Sequence, residues 1–151
     1  MLLIRQPSLQ TASPLPADVV LRTPTRADTT ELGRLYFESY EPGIAAATEV
    51  EAIEDIAATF DGAYGPLSAS WSWLAVSGEQ LVGALLVVER APWPDTPDCP
   101  FIIELFTAPI NRRQGLARAL LATATTQVAL RVSDDNVAAQ RLYESVGFQP
   151  G

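Results

Sequence analysis

The sequence predicts an α/β (α+β) fold in one domain, and three features of the 151-residue chain carry that expectation. Short runs rich in β-branched and aromatic residues alternate with amphipathic helical segments, in the order β-α-α-β-β-β-α-β-α-β. An apolar run, Phe101–Thr107, passes through Pro109 and a tight turn bearing Arg112, Arg113 and Gly115 into a helix over 116–126. No internal repeat or low-complexity run is present, and the length suffices for one sizeable core.

Residues 1–18 hold three prolines and small polar residues, which predicts an extended arm, with 2–5 able to pair as an edge strand. The domain proper is expected over 19–151. Val19–Arg22 reads as its first strand. A helix follows to about residue 40, with Asp28 or Thr29 as N-cap, Leu32, Leu35, Tyr36 and Ser39 on one face, and Glu31 and Glu38 outward. Pro42-Gly43 ends it. Glu49–Phe60 is a second amphipathic helix, with Val50, Ile53, Ile56, Ala57 and Phe60 expected inward. Strands at 71–76 and 81–89 flank a turn at 77–80. A proline-rich loop over 91–100 then precedes the strand Phe101–Thr107. After the helix at 116–126 come a strand over 128–132, a capping run Ser133-Asp134-Asp135-Asn136, and a last helix closed by Gly147.

Composition narrows the chemistry. The net charge is −8, so sequence-independent nucleic-acid binding is disfavoured. All ten basic residues are arginine, and histidine is absent. There is therefore no imidazole base, no Ser-His or Cys-His dyad, and no metal is expected. Cys99 is the only cysteine, which excludes an intrachain disulfide. No apolar run approaches a membrane span, and the opening Met1–Ile4 run is too short for a signal-peptide core, so a cytoplasmic protein with no membrane partner is expected. Residues 1–61 carry ten acidic side chains against four arginines. That balance either solvates helix faces or forms a rim attractive to a cation.

The turn after Thr107 suits a phosphate, because a helix start offers unpaired N–H groups and partial positive charge. It is neither a nucleotide P-loop nor a dinucleotide turn. Arg112-x-x-Gly115-x-Ala117, preceded by Pro109 and the strand end Leu105-Phe106-Thr107, resembles motif A of the GCN5-related N-acetyltransferase (GNAT) superfamily. The run from Asn136 through Ala139, Tyr143 and Gly147 to Phe148 is similar to its motif B, Asn-x-x-Ala-x-x-x-Tyr-x-x-x-Gly-Phe. This resemblance implies a mixed, mostly antiparallel sheet of six to seven strands flanked by about four helices. It implies acetyl-CoA as acyl donor and a small-molecule or peptide amine as acceptor.

The same resemblance assigns roles. The backbone of Leu105, Phe106 and Thr107 would pair with the pantetheine arm. The amides of Arg113, Gln114, Gly115, Leu116, Ala117 and Arg118 would hold the diphosphate beside Arg112. Asn136 would contact the cofactor. Tyr143, on the helical face of Asn136 and Gln140, is the candidate acid, since a phenol with a pKa of about 10 keeps its proton at neutral pH. Glu104 is the candidate base; in an alternating strand it shares a face with Ile102 and Phe106, where desolvation would raise its pKa. Two departures stand out. Arg131 occupies the place of a glutamate found in the ribosomal-protein alanine N-acetyltransferases, so their specificity does not carry over. Little chain remains after Phe148, so a seventh strand is missing, supplied by the N-terminal arm, or borrowed from a second copy in a homodimer. A non-catalytic acyl-CoA sensor or regulatory module is the alternative reading.

Overall fold

The computed structural model describes residues 1–7 and 13–151; the rest of the expected arm lies outside the described residues. Seven strands form one sheet: β1 (Leu2–Arg5), β2 (Val19–Arg22), β3 (Trp73–Ser77), β4 (Gln80–Val88), β5 (Phe101–Thr107), β6 (Val128–Arg131) and β7 (Gln149–Pro150). Their order is β2-β3-β4-β5-β6-β1-β7. Every pairing is antiparallel except β5 with β6.

β4 is the spine. Leu81 through Val88 are all buried, which requires cover on both faces of the sheet. Leu81, Ala84 and Leu86 pack with α1 (Thr29–Glu38) and α2 (Glu49–Phe60). Val82, Leu85 and Val87 pack with α3 (Leu116–Ala122) and the end of α4 (Val137–Ser145). Each such leucine contributes about 1.5–3 kcal/mol on leaving water. α1 and α2 approach so closely that a Cβ on Gly33 would lie 2.5 Å from the Ile53 Cα. No side chain fits there.

The expected face of α1 is as read, with Leu32, Leu35, Tyr36 and Ser39 buried. α2 is rotated from the expected face. Ala52, Ile56 and Thr59 are buried, while Val50 is 63% exposed. The helical stripe that meets α1 runs through 52, 56 and 59, and Val50 lies off it in the first turn.

One boundary in the C-terminal half differs from expectation. α3 stops at Ala122 rather than 126. The following Thr-Ala-Thr-Thr run has poor helix propensity, and Arg5 takes the helix-end carbonyls. Its Nη2 donates to the Leu121 carbonyl at 3.0 Å and also to that of Ala124. Its Nη1 donates to Val146, and its guanidinium lies 5.1 Å from the Phe148 ring centroid. A cation at a helix C-terminus complements the dipole there. Arg5 is 2% exposed and ties the ends of α3 and α4 to the sheet.

That tie also explains where the seventh strand comes from. Leu2–Arg5 is no edge strand: it runs antiparallel between β6 and β7, with Leu3 opposite Leu130 on one side and Pro150 on the other. The N-terminal segment Leu2–Arg5, first read as part of an arm, thus lies inside the sheet.

Candidate active site

β5 and β6 are the parallel neighbours, and their register holds at only two positions, Phe101 with Ala129 and Ile102 with Leu130. Beyond these the strands separate. The main chain of Glu104–Thr107 is left facing a cleft whose other wall is α4, with Asn136, Ala139, Leu142 and Tyr143 lining it. The cleft is a string of three cavities. One of about 380 Å³ lies at the Thr107–Arg118 corner, bordered by Arg112, Arg113, Gly115 and Ala117. The next, also about 380 Å³, shares Thr107, Arg112, Ala117 and Leu142 with it and reaches Tyr40 and Tyr143. The third, about 280 Å³, shares Tyr40, Asn136 and Tyr143 and ends on Glu104.

The corner owes its shape to two left-handed residues, Arg113 at φ 64° and Gly115 at φ 79°. A glycine adopts that conformation without strain, whereas an arginine does not. A Cβ at Gly115 would meet nothing within 4 Å, so the position is restricted by backbone conformation. Arg112 does not hang free in this corner. Its Nη2 donates to the Ser39 carbonyl at the end of α1, so the loop is clipped to the opposite wall.

Glu104 does not share a face with Ile102. β4 residues Leu86 and Val87 pair with Glu104 and Ile102, which leaves Ile103 as an extra, bulged residue. The bulge reverses the alternation: Ile102 packs with the α3 side, while Phe106 and Ile103 pack with the α1–α2 side. Glu104 is thereby turned to a cluster of tyrosines. The Tyr40 hydroxyl donates to its Oε2 at 3.5 Å. Burial pushes the Glu104 carboxyl up to about 7, the Tyr36 and Tyr40 hydroxyls pull it back, and Asp55 adds to the rise.

Tyr143 faces the same cleft, packed edge-on against Phe148 at 5.6 Å between centroids. Burial, and then the Glu104 charge, push its hydroxyl up to about 12. Asn136 caps α4, its Oδ1 accepting from the Ala139 N–H at 3.1 Å. Gln140 stands one helical turn on from Asn136. Its Nε2 donates to the Ser133 and Asp134 carbonyls, folding the side chain back along the helix start. Gln114 and Arg118 are exposed around the corner, and Leu116 is buried beneath it.

Sequence reading missed Tyr36, Tyr40 and Tyr64 as neighbours of Glu104. The pair Tyr36 and Tyr40, four residues apart at the end of a helix, was a visible sign; Tyr64 had none, because a loop brings it there. Among the described residues, no group of three or more His, Cys, Asp or Glu could hold a metal, and no helix is long and apolar enough to cross a membrane.

A sequence profile described as an acetyltransferase (GNAT) domain matches residues 68–150. Among solved structures, a Pyrococcus horikoshii protein superposes with a TM-score of 0.71 at 19% identity, covering 88% of this chain and 90% of that one. The aminoglycoside N-acetyltransferase AAC(6')-Iy, solved with a CoA–acetylneamine bisubstrate analogue, gives 0.65 at 17% identity, covering 87% and 91%. Diaminobutyrate acetyltransferase EctA of Paenibacillus lautus, solved with its substrate and coenzyme A, gives 0.56 at 21%, covering 85% and 74%. At these identities the likeness concerns the fold. A search of curated protein sequences gives no match. The profile spans more than half of a chain folded on this splayed sheet: the protein belongs to the GNAT acetyltransferase family.

Proposed function

We propose that this protein is an N-acetyltransferase that moves an acetyl group from acetyl-CoA to a primary amine by direct attack in a ternary complex. The observation that carries the reading is the continuous cleft from the Arg112–Ala117 corner to Glu104, with Tyr143 between them. Its residues fit the donor. The left-handed turn at Arg113 and Gly115 opens main-chain N–H groups toward a diphosphate. The unpaired edge of Glu104–Thr107, freed by the splay from β6, offers strand-like partners to the amide-bearing pantetheine arm. Asn136 and Leu142 close the opposite side.

The chemistry follows from two titrating groups pushed apart in role. With its carboxyl near 7, Glu104 is half-ionised at neutral pH and takes a proton from the incoming ammonium, directly or through one water. The neutral amine nitrogen attacks the thioester carbonyl carbon. A C–N bond forms, the C–S bond breaks, and its electron pair leaves on sulfur. Tyr143, whose hydroxyl stays protonated to about 12, delivers the proton that makes the free thiol. Collapse leaves the new amide nitrogen with a second proton to lose; the Tyr143 phenolate takes it back, and Glu104 passes its proton to solvent, so one proton is released per turnover.

The test is steady-state thiol release from acetyl-CoA with an amine present, in wild type and Tyr143→Phe. The phenylalanine variant should lose about 10²–10⁴ in kcat, with KM for acetyl-CoA little changed. Acetyl-CoA binding with no turnover of any amine would instead establish a sensor module.

A further inference from the structure

Tyr40 stands where the base meets the cleft. Of the three cavities along the cleft, only the last touches Glu104, whereas Tyr40 and Tyr143 line both that cavity and the middle one. The middle cavity in turn shares Thr107, Arg112 and Ala117 with the diphosphate corner. The Tyr40 hydroxyl donates to Glu104 Oε2 at 3.5 Å. A separation of this length is usual for a catalytic hydrogen bond before substrate is bound.

The ring is held in place. It packs on Tyr36 at 5.7 Å and on Phe106 at 6.4 Å between centroids. The residue before it, Ser39, is buried, its hydroxyl donates to the Leu35 carbonyl at 2.6 Å, and its own carbonyl accepts from Arg112. Tyr36 does not offer the same service, being 7% exposed with its hydroxyl donating to the Ala45 carbonyl at 3.3 Å. A phenol oxygen accepts one hydrogen bond while it donates another. The Tyr40 oxygen can therefore accept from a group in the cleft while it donates to Glu104. Burial, then the charges of Glu104 and Tyr143, hold that hydroxyl above the ordinary phenol range, against a smaller downward pull from Arg112. It keeps its proton at rest.

We propose that Tyr40 is a further catalytic residue, the relay through which the incoming ammonium loses its proton to Glu104. This rests on the transferase reading above and puts a side chain in place of direct or water-borne transfer. In one concerted step the ammonium N–H bond breaks and its proton passes to the Tyr40 oxygen. The Tyr40 O–H bond breaks at the same time, and that proton passes to Glu104 Oε2. The phenol ends as it began, the carboxyl is protonated, and the amine is neutral. Glu104 can thus stay buried and still serve the cleft. Tyr40 acts on nitrogen before attack, and Tyr143 acts on sulfur after it.

The experiment measures thiol release at about pH 8 in wild type and Tyr40→Phe with ethylamine and the nearly isosteric methoxyamine, folding being checked by thermal melts. Ethylamine is an ammonium ion there and must shed a proton before it attacks, whereas methoxyamine is already neutral. Phenylalanine keeps the ring packing and removes only the relay oxygen. Tyr40→Phe should lose about 10²-fold in kcat with ethylamine and less than about threefold with methoxyamine, with KM for acetyl-CoA little changed. A loss of less than about threefold with ethylamine overturns the inference, because direct or water-borne transfer then suffices. An equal loss with both acceptors overturns it too, since the oxygen then only shapes the cleft. Either result leaves acetyl transfer itself intact. A wild type that releases no thiol with either probe also overturns the relay, and silence with every amine removes the transferase reading as well.

Discussion

Glu104→Gln should make the protein more stable while silencing it, and the gain should depend on pH. The carboxyl titrates near 4.5 in an ordinary setting and near 7 in the fold, chiefly because burial disfavours its charged form. A raised acid pKa means that the folded state holds the proton more tightly than the unfolded chain does. Its contribution is whole below about 4.5 and drains away as pH climbs through about 7. At about 1.4 kcal/mol per pH unit of separation, the charged carboxylate costs the fold about 3 kcal/mol above pH 7. Screening at its partly open side brings this nearer 2 kcal/mol. Glutamine has nearly the same shape and still accepts the Tyr40 hydrogen bond, but it carries no charge. Urea titrations should therefore show a difference under about 0.5 kcal/mol at pH 4.5 that grows to about 2–3 kcal/mol at pH 8. Wild-type kcat/KM should rise through about pH 7 over the same interval. A stability difference that does not change with pH would refute the assignment of a buried, titrating base.

Two further outcomes concern the frame of the site. Arg5→Ala leaves the carbonyls of Leu121, Ala124 and Val146 without their charged donor, and should cost about 3 kcal/mol or more in urea unfolding; Arg5→Met, which keeps the apolar stem, should recover less than half of it. Gly115→Ala must place an alanine at φ 79°, so it should lose about 1–2 kcal/mol of stability and weaken acetyl-CoA binding measured by calorimetry.

The elements of this fold were legible where one chain segment decides them. The strand Phe101–Thr107, its basic turn and the Gly147 helix stop follow from local chemistry, and they appear where expected. What could not be read is whatever distant residues impose. The Ile103 bulge is set by pairing with β4, and it decides which way Glu104 points. The early end of α3 is imposed by an arginine more than a hundred residues earlier in the chain. The turn at Arg113 and Gly115 was visible because it is made of consecutive residues of one segment. The tyrosine cluster was not, because it gathers side chains from α1, a loop and α4 onto one strand.

The insertion of Leu2–Arg5 beside Val128–Arg131 has a bearing on biogenesis. Leu3 finds its partner Leu130 only after the ribosome has added 127 further residues (130 − 3). At about 5–20 residues per second this delay is on the order of ten seconds. Until then the nascent protein keeps a short apolar strand without the β6 margin it pairs with, and its other partner, β7, lies farther along the chain still. Docking of β1 between β6 and β7 should therefore be the slow phase of refolding, with the α1–α2 pair and the β3–β4 hairpin already assembled.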